Sequence, residues 1–195
     1  MKNLLPAARM LLILTVLTGL IYPLFVTVVA QVLYPTQANG SLIVRDEGVV
    51  GSSLIGQVID DPRYFSGRPS AVNAMQADQA TLLSSGASNL SMTNPALLDA
   101  YAERAAAFRA ANNLSADALI PSEMVMASGS GLDPHISPAG ARLQAARIAE
   151  SRGIPVDEVM ALIIQSTESP QLGFLGESRV NVLMLNLALD DITTP

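Results

Sequence analysis

The chain has 195 residues, half of them hydrophobic, and carries eleven Lys and Arg against seventeen Asp and Glu, a net charge of −6. This acidic balance argues against a nucleic-acid partner, because phosphate binding draws on clustered Lys and Arg. Cysteine is absent, which excludes a disulfide framework, a thiolate metal site and a thiol nucleophile.

Residues 10–44 hold no charged side chain, and residues 10–33 are nearly all Leu, Ile, Val, Thr and Ala. As a helix rising about 1.5 Å per residue, that stretch reaches about 30 Å or slightly more, enough to cross the hydrocarbon core of a bilayer. Val28-Val29-Ala30 looks like a signal-peptide cleavage site after a basic start, but the apolar run continues through Val32 and Leu33 and is too long for a signal core. The segment therefore reads as a retained anchor. Lys2 and Arg9 precede it and no basic residue follows until Arg45, so the positive-inside tendency places residues 1–9 in the cytoplasm and the remainder outside. Thr15 and Gly19, four apart on one helix face, are candidates for close packing against another membrane helix, although small residues are common in such helices generally. Pro23 need not break the span, since neighbouring helices can compensate for its missing hydrogen bond.

After a connector at 34–40, residues 41–195 are long enough for one domain with its own core. That part is more acidic than the whole: nine Arg face seventeen Asp and Glu, a net of −8. Between residues 41 and 57, two β-branched runs surround Asp46-Glu47-Gly48 and suggest a hairpin. Asp60-Asp61-Pro62 then breaks the chain before an extended, anchored loop from Tyr64 to Ser70, and residues 84–94 are rich in Ser, Gly and Asn. Asn94-Pro95 starts a helix with an Asn cap and Pro in the first turn, carried by Leu97, Tyr101, Ala105 and Phe108 and ending near Asn112-Asn113. Ser137-Pro138 opens a second, through Leu143, Ala146 and Arg147, which Gly153 can close. Pro155 opens a third with Val159, Leu162 and Ile163 on one side. The last apolar run, 180–189, fits either a strand or a helix capped by Asn181, and helix is preferred. The fold class is α+β: one N-terminal transmembrane helix followed by a single mixed α/β extracytoplasmic domain.

Most of the polar chemistry lies in Ala127-Ser128-Gly129-Ser130-Gly131-Leu132-Asp133-Pro134-His135-Ile136-Ser137-Pro138, which includes the only histidine. Ser130, Asp133 and His135 suggest a serine hydrolase, but three neighbours in a Pro-containing loop do not easily converge as a triad, and the Gly-x-Ser-x-Gly elbow is missing. One His and one nearby Asp make a weak metal site. The plainer reading is a structural loop whose Asp and Ser side chains bond the backbone, with Ser137 capping the next helix; a direct contact with a partner is the other. A phosphate-binding loop is excluded because Lys2 is the only lysine. Arg68, in Phe65-Ser66-Gly67-Arg68-Pro69-Ser70-Ala71, can bridge a carboxylate with its planar fork, or form an ordinary surface ion pair. Asp60 and Asp61 could draw cations to an entrance, or simply form a solvated turn.

Taken in order, the single span, the Phe65 to Ala71 motif, Ser88-Asn89-Leu90 with Thr93-Asn94-Pro95, the Ala127 to Pro138 segment, and Arg179-Val180-Asn181-Val182-Leu183 with Leu185-Asn186-Leu187-Ala188-Leu189 resemble the C subunit of the bacterial Kdp potassium-transporting ATPase. The pattern departs at Ala87, Ser91 and Met92, where the family usually has Gly, Gly and Pro. The resemblance implies a non-catalytic accessory subunit of a high-affinity, ATP-driven potassium uptake complex in the bacterial inner membrane. Its partners would be the channel-like A subunit, the P-type ATPase B subunit and the small F subunit. ATP and potassium would be handled by the complex, with no cofactor assigned to this chain. The family's C subunit is described as needed for assembly and as a catalytic chaperone that raises the ATP affinity of the B subunit. Arg68, Asn94, Ser128, Ser130, Asp133 and His135 are then candidate partner-contact or structural residues, and Thr15 and Gly19 candidate helix-packing residues. Two alternatives are an external cation-collecting module using Asp60, Asp61, Asp190 and Asp191, and a membrane-anchored hydrolase using Ser130 and His135.

Overall fold

The structure is a computed structural model that describes residues 3–45, 48–72 and 85–193. The chain forms two compact units, Met1–Ser52 and Ser53–Pro195.

The first unit is dominated by one apolar helix of 30 residues, Leu4–Leu33, which at about 1.5 Å per residue is roughly 45 Å long. It starts earlier than residue 10 because Pro6 falls in the first turn, where an N–H has no partner within the helix anyway. Two α-helical stretches, α1 (Leu4–Val16) and α2 (Tyr22–Leu33), flank a π-helical turn at Leu17–Ile21, in which Tyr22 N–H bonds Leu17 O. The wide turn sits immediately before Pro23, which lacks an N–H and whose ring crowds the carbonyl four residues back. The hydroxyls of Thr18 and Thr27 bond the carbonyls of Leu14 and Pro23 at 2.7 and 2.8 Å. The span thus keeps its helical course through Pro23 by a change in its own backbone. Its apolar side chains from Leu4 to Val28 are all exposed.

Tyr34 leaves helical geometry and a single turn, α3 (Pro35–Ala38), follows. The side-chain amides of Gln31 and Asn39 pair reciprocally across this corner at 3.3 and 3.2 Å. The expected hairpin is present as β1 (Leu42–Arg45) and β2 (Gly48–Ser52), antiparallel, with a bulge between Ile43 and Val44. Residues 46 and 47 of its turn lie outside the described residues. Strand β2 stops at Ser52, whose hydroxyl donates to Gly40 O at 2.7 Å, so Leu54 and Ile55 fall in a turn instead of prolonging the strand.

Among its described residues, the second unit contains four longer helices and a small sheet. Helix α4 (Pro95–Ala111) is followed by a 3-10 turn, Ser122–Met124, then β3 (His135–Ile136), α5 (Pro138–Arg152), α6 (Val156–Gln165), β4 (Thr167–Glu168), β5 (Arg179–Asn181) and α7 (Val182–Thr193). The sheet is antiparallel in the order β3-β5-β4, with His135 opposite Asn181 and Thr167 opposite Val180. Phe65, Ile148, Ile163, Val180, Leu185 and Leu189 have no exposed surface and form the centre of the core, where α5, α6, α7 and β5 meet.

The helix starts follow the local chemistry. Asn94 Oδ1 accepts from Ala96 N–H at 2.9 Å and Ser137 Oγ from Gly140 N–H at 3.0 Å, while Gly153 closes α5 in left-handed geometry at φ +66°. The run 180–189 is both of its alternatives in succession: the strand ends at Asn181, whose Oδ1 accepts from Met184 N–H at 3.1 Å and starts α7.

Candidate functional site

Loop 127–134 is a hub for the second unit. Its turn is made by its own serines: Ser128 Oγ accepts from Gly131 N–H at 2.9 Å and Ser130 Oγ from Leu132 N–H at 3.1 Å. The carbonyls then collect other segments. Leu132 O takes Gly56 N–H, Ser130 O takes Gly86 N–H, and Pro134 O takes Val182 N–H, at 2.8, 2.8 and 2.9 Å, while Ser70 Oγ lies 2.8 Å from Gly131 O. Gly131 has φ +71°, and a Cβ there would sit 2.6 Å from Val72 Cγ2. A Cβ on Gly56 would sit 2.4 Å from Asp133 O. The glycines therefore mark places where two backbones touch.

Asp133 ties the hub to Arg68. Its Oδ2 accepts from Arg68 Nη1 at 2.8 Å, and its Oδ1 accepts from His135 N–H at 3.0 Å with the His135 Nδ1 3.6 Å away. Arg68 Nη2 also reaches Met126 O at 3.4 Å. Arg68 Nε is buried without a hydrogen-bond partner among the described residues, and the residue borders a cavity of about 20 Å³, room for one water. Both partners of the ion pair are about three-quarters buried, which screens it less than a surface pair.

A second polar assembly holds residues 62–66, which include the start of the Tyr64 to Ser70 loop read from the sequence as anchored but without its anchor. Gln144, with no exposed surface, accepts from Ser66 N–H at 2.8 Å and donates to Ser66 O at 3.1 Å. Asn186 treats Phe65 in the same way, accepting from its N–H and donating to its carbonyl. Arg147 reaches Pro62 O, Tyr64 O at 3.1 Å, Asn112 Oδ1 at 2.9 Å and Gln144 Oε1 at 3.0 Å. Every one of these acceptors is neutral, and burial pushes the guanidinium pKa down. Arg152 lies over the Tyr64 ring at 4.5 Å and bonds Asp190 at 2.8 Å, while Tyr64 OH bonds the other Asp190 oxygen at 3.1 Å.

The structure brings Arg68, Ser128, Ser130, Asp133 and His135 together around the hub. Asn94 is elsewhere, capping α4, and Thr15 and Gly19 lie on the apolar helix of the other unit. No hydrogen bond joins Ser130 to His135 among the described residues; the serine Oγ accepts from Leu132 N–H. Asp61 and Asp190, two of the four aspartates considered for cation collection, are already paired with Arg63 and Arg152. Sequence reasoning missed Gln144, Arg147, Asn186 and Arg152. The available signal was an amide inside an apolar face, as in Leu185-Asn186-Leu187, since such a group must find a buried partner.

The family model described as "KdpC: K+-transporting ATPase, c chain" matches residues 4–191. The chain is similar to the potassium-transporting ATPase KdpC subunit of Polaromonas naphthalenivorans (strain CJ2), with 56% identity over 191 residues, 97% of this chain and 95% of that one. It is 53% identical to that of Sorangium cellulosum (strain So ce56) over 97% of this chain and 98% of the relative. For Mycobacterium tuberculosis (strain ATCC 25618 / H37Rv) the identity is 51%, again over 97% and 98%.

Proposed function

The chain belongs to the KdpC family, the c chain of the K+-transporting ATPase, and on that premise we propose that it is an accessory subunit that assembles and regulates the potassium pump. The observation that carries this reading is the apolar helix Leu4–Leu33, 30 residues long with its apolar side chains exposed from residue 4 to 28. A helix of that kind is stable only against lipid or other membrane helices. The partners are the A, B and F subunits of the pump in the bacterial inner membrane, and the bond chemistry belongs to the B subunit.

On this reading residues 41–195 lie outside the membrane, because Lys2 and Arg9 come before the uncharged stretch that begins at residue 10 and the next basic residue is Arg45. ATP is hydrolysed on the cytoplasmic side, so an external domain reaches the nucleotide only indirectly. Its chaperone effect is then a coupling free energy: the domain and the span bind one pump conformation better than another, and that conformation binds ATP more tightly.

Protease accessibility in sealed vesicles of either orientation tests the placement. Cleavage within 53–195 from the external face, with protection from the cytoplasmic face, is expected. The reverse pattern overturns the indirect mechanism.

A further inference from the structure

The loop between β4 and β5 ends in an apolar tip. Gln171 and Leu175 form an antiparallel bridge with hydrogen bonds of 3.0 and 2.9 Å, and Gly173 N–H bonds Pro170 O at 3.0 Å. The turn holds Leu172 at φ +53° and Gly173 at φ +81°. Such turns are ordinarily made of Asn, Asp or Gly, and a leucine in the left-handed region is strained. Yet Leu172 is 83% exposed, Phe174 74% and Leu175 50%. The strain therefore gives the core little; it displays apolar side chains on a hydrogen-bonded turn, the situation in which strain accompanies a binding role.

We propose that this tip docks into an apolar pocket on another subunit of the potassium-transporting ATPase. The inference rests on the subunit reading above and adds a contact surface to it. Charge favours a protein pocket over lipid. Glu168 and Glu177 flank the tip, Arg179 beside it is paired with Glu168 at 2.9 Å, and residues 53–195 carry eight Arg against fifteen Asp and Glu. Attraction to anionic headgroups requires the opposite sign. Size favours a partner already held nearby. A phenylalanine brings on the order of 150–250 Å² to a contact, so the tip falls well short of the roughly 800 Å² per partner of a free-standing interface. It is effective only between chains tethered by another contact, and the membrane helix supplies that tether by raising the local concentration.

The test replaces Phe174 with the photoreactive analogue p-benzoyl-phenylalanine in the full chain, co-expressed with the other pump subunits. Membranes are irradiated, the complex is isolated through a tag on another subunit, and the covalent product is identified by mass. A product with another pump subunit is expected. Adding Leu172→Gly, which removes the side chain and relieves the backbone, should lower its yield roughly tenfold while raising the chain's own thermal midpoint. A product only with lipid or a second copy of this chain, no product from an assembled complex, or a yield unchanged by Leu172→Gly overturns the docking inference and leaves the subunit reading standing. A chain that does not co-purify with the other subunits at all overturns both.

Discussion

The side-chain amide of Asn186 takes both main-chain hydrogen-bonding groups of Phe65, accepting from its N–H at 2.8 Å and donating to its carbonyl at 2.9 Å. Phe65 has no exposed surface and Asn186 only 3%, so water replaces neither bond. In effect a helix side chain supplies the pairing that a neighbouring strand would give. This lets the Phe65 ring enter the core on a segment that belongs to no sheet.

Asn186→Leu should therefore be costly despite its added apolar surface. It leaves one N–H and one C=O buried and unpaired, at about 1–3 kcal/mol each, partly offset by the leucine. A net loss of about 2–4 kcal/mol corresponds to a fall of roughly 5–15 °C in thermal midpoint for a chain of this size. Thermal denaturation followed by circular dichroism measures it, and a change below about 1 °C would show that residues 62–66 are not held by this amide.

Glycines around the hub give a prediction with an internal control. Gly131→Ala places a Cβ 2.6 Å from Val72 Cγ2 and 2.8 Å from Gly86 O at a φ of +71°, and Gly56→Ala places one 2.4 Å from Asp133 O. Each should destabilise by about 1–3 kcal/mol, since a backbone neighbour must move. A Cβ on Gly129 meets nothing within 4 Å and its φ is not positive, so Gly129→Ala should be neutral or slightly stabilising. Equal effects at all three positions in denaturant titration would contradict the close approach.

The same contrast explains what could be foreseen. Helices α4 and α5 were legible because Asn94, Ser137, the following prolines and Gly153 act within a few residues of themselves. Asn181 was recognised as a cap for the same reason. Strand β5, with three residues, is too short to show a period of two. Gln144, Arg147 and Asn186 act on carbonyls and amides 78 to 121 residues away, and no local pattern encodes that distance. The π-helical turn before Pro23 was equally hidden, because the proline signals only that a bond must be lost. Arg68 and Asp133 were each visible as candidates, but their pairing required the fold.

Acid should reach Asp61 late, and in a predictable direction. The Arg63 guanidinium and the Arg63 N–H both donate to this carboxylate and hold its pKa down, from the ordinary 3.8 to about 2. Because the folded pKa lies below the unfolded one, the pairing contributes above about pH 4 and is lost as pH falls towards 2. Arg63 is exposed and Asp61 partly so, so solvent screens the pair and the effect on stability is small. Carboxyl titration by NMR should place the Asp61 midpoint near 2, and Arg63→Ala should return it towards 3.8. A midpoint that Arg63→Ala leaves unchanged would exclude the pairing.

The membrane helix should carry assembly through its sequence as well as its hydrophobicity. A Cβ added to Gly19 would meet only Thr15 Cγ2, at 4.0 Å, so Gly19→Leu fits the isolated helix without internal cost. In a bilayer the same change fills the face that Thr15 and Gly19 leave low. Lipid accommodates a leucine there readily, whereas a helix packed against that face must move away. Gly19→Leu should accordingly leave the membrane content of the chain unchanged and reduce its co-purification with the pump several-fold. Replacing residues 10–33 by a Leu and Ala helix should reduce it further, since it also removes Pro23, beside the π turn, and the hydroxyls of Thr18 and Thr27. Undiminished recovery of the complex with both variants would mean that the span serves only as an anchor and that assembly is driven from residues 53–195.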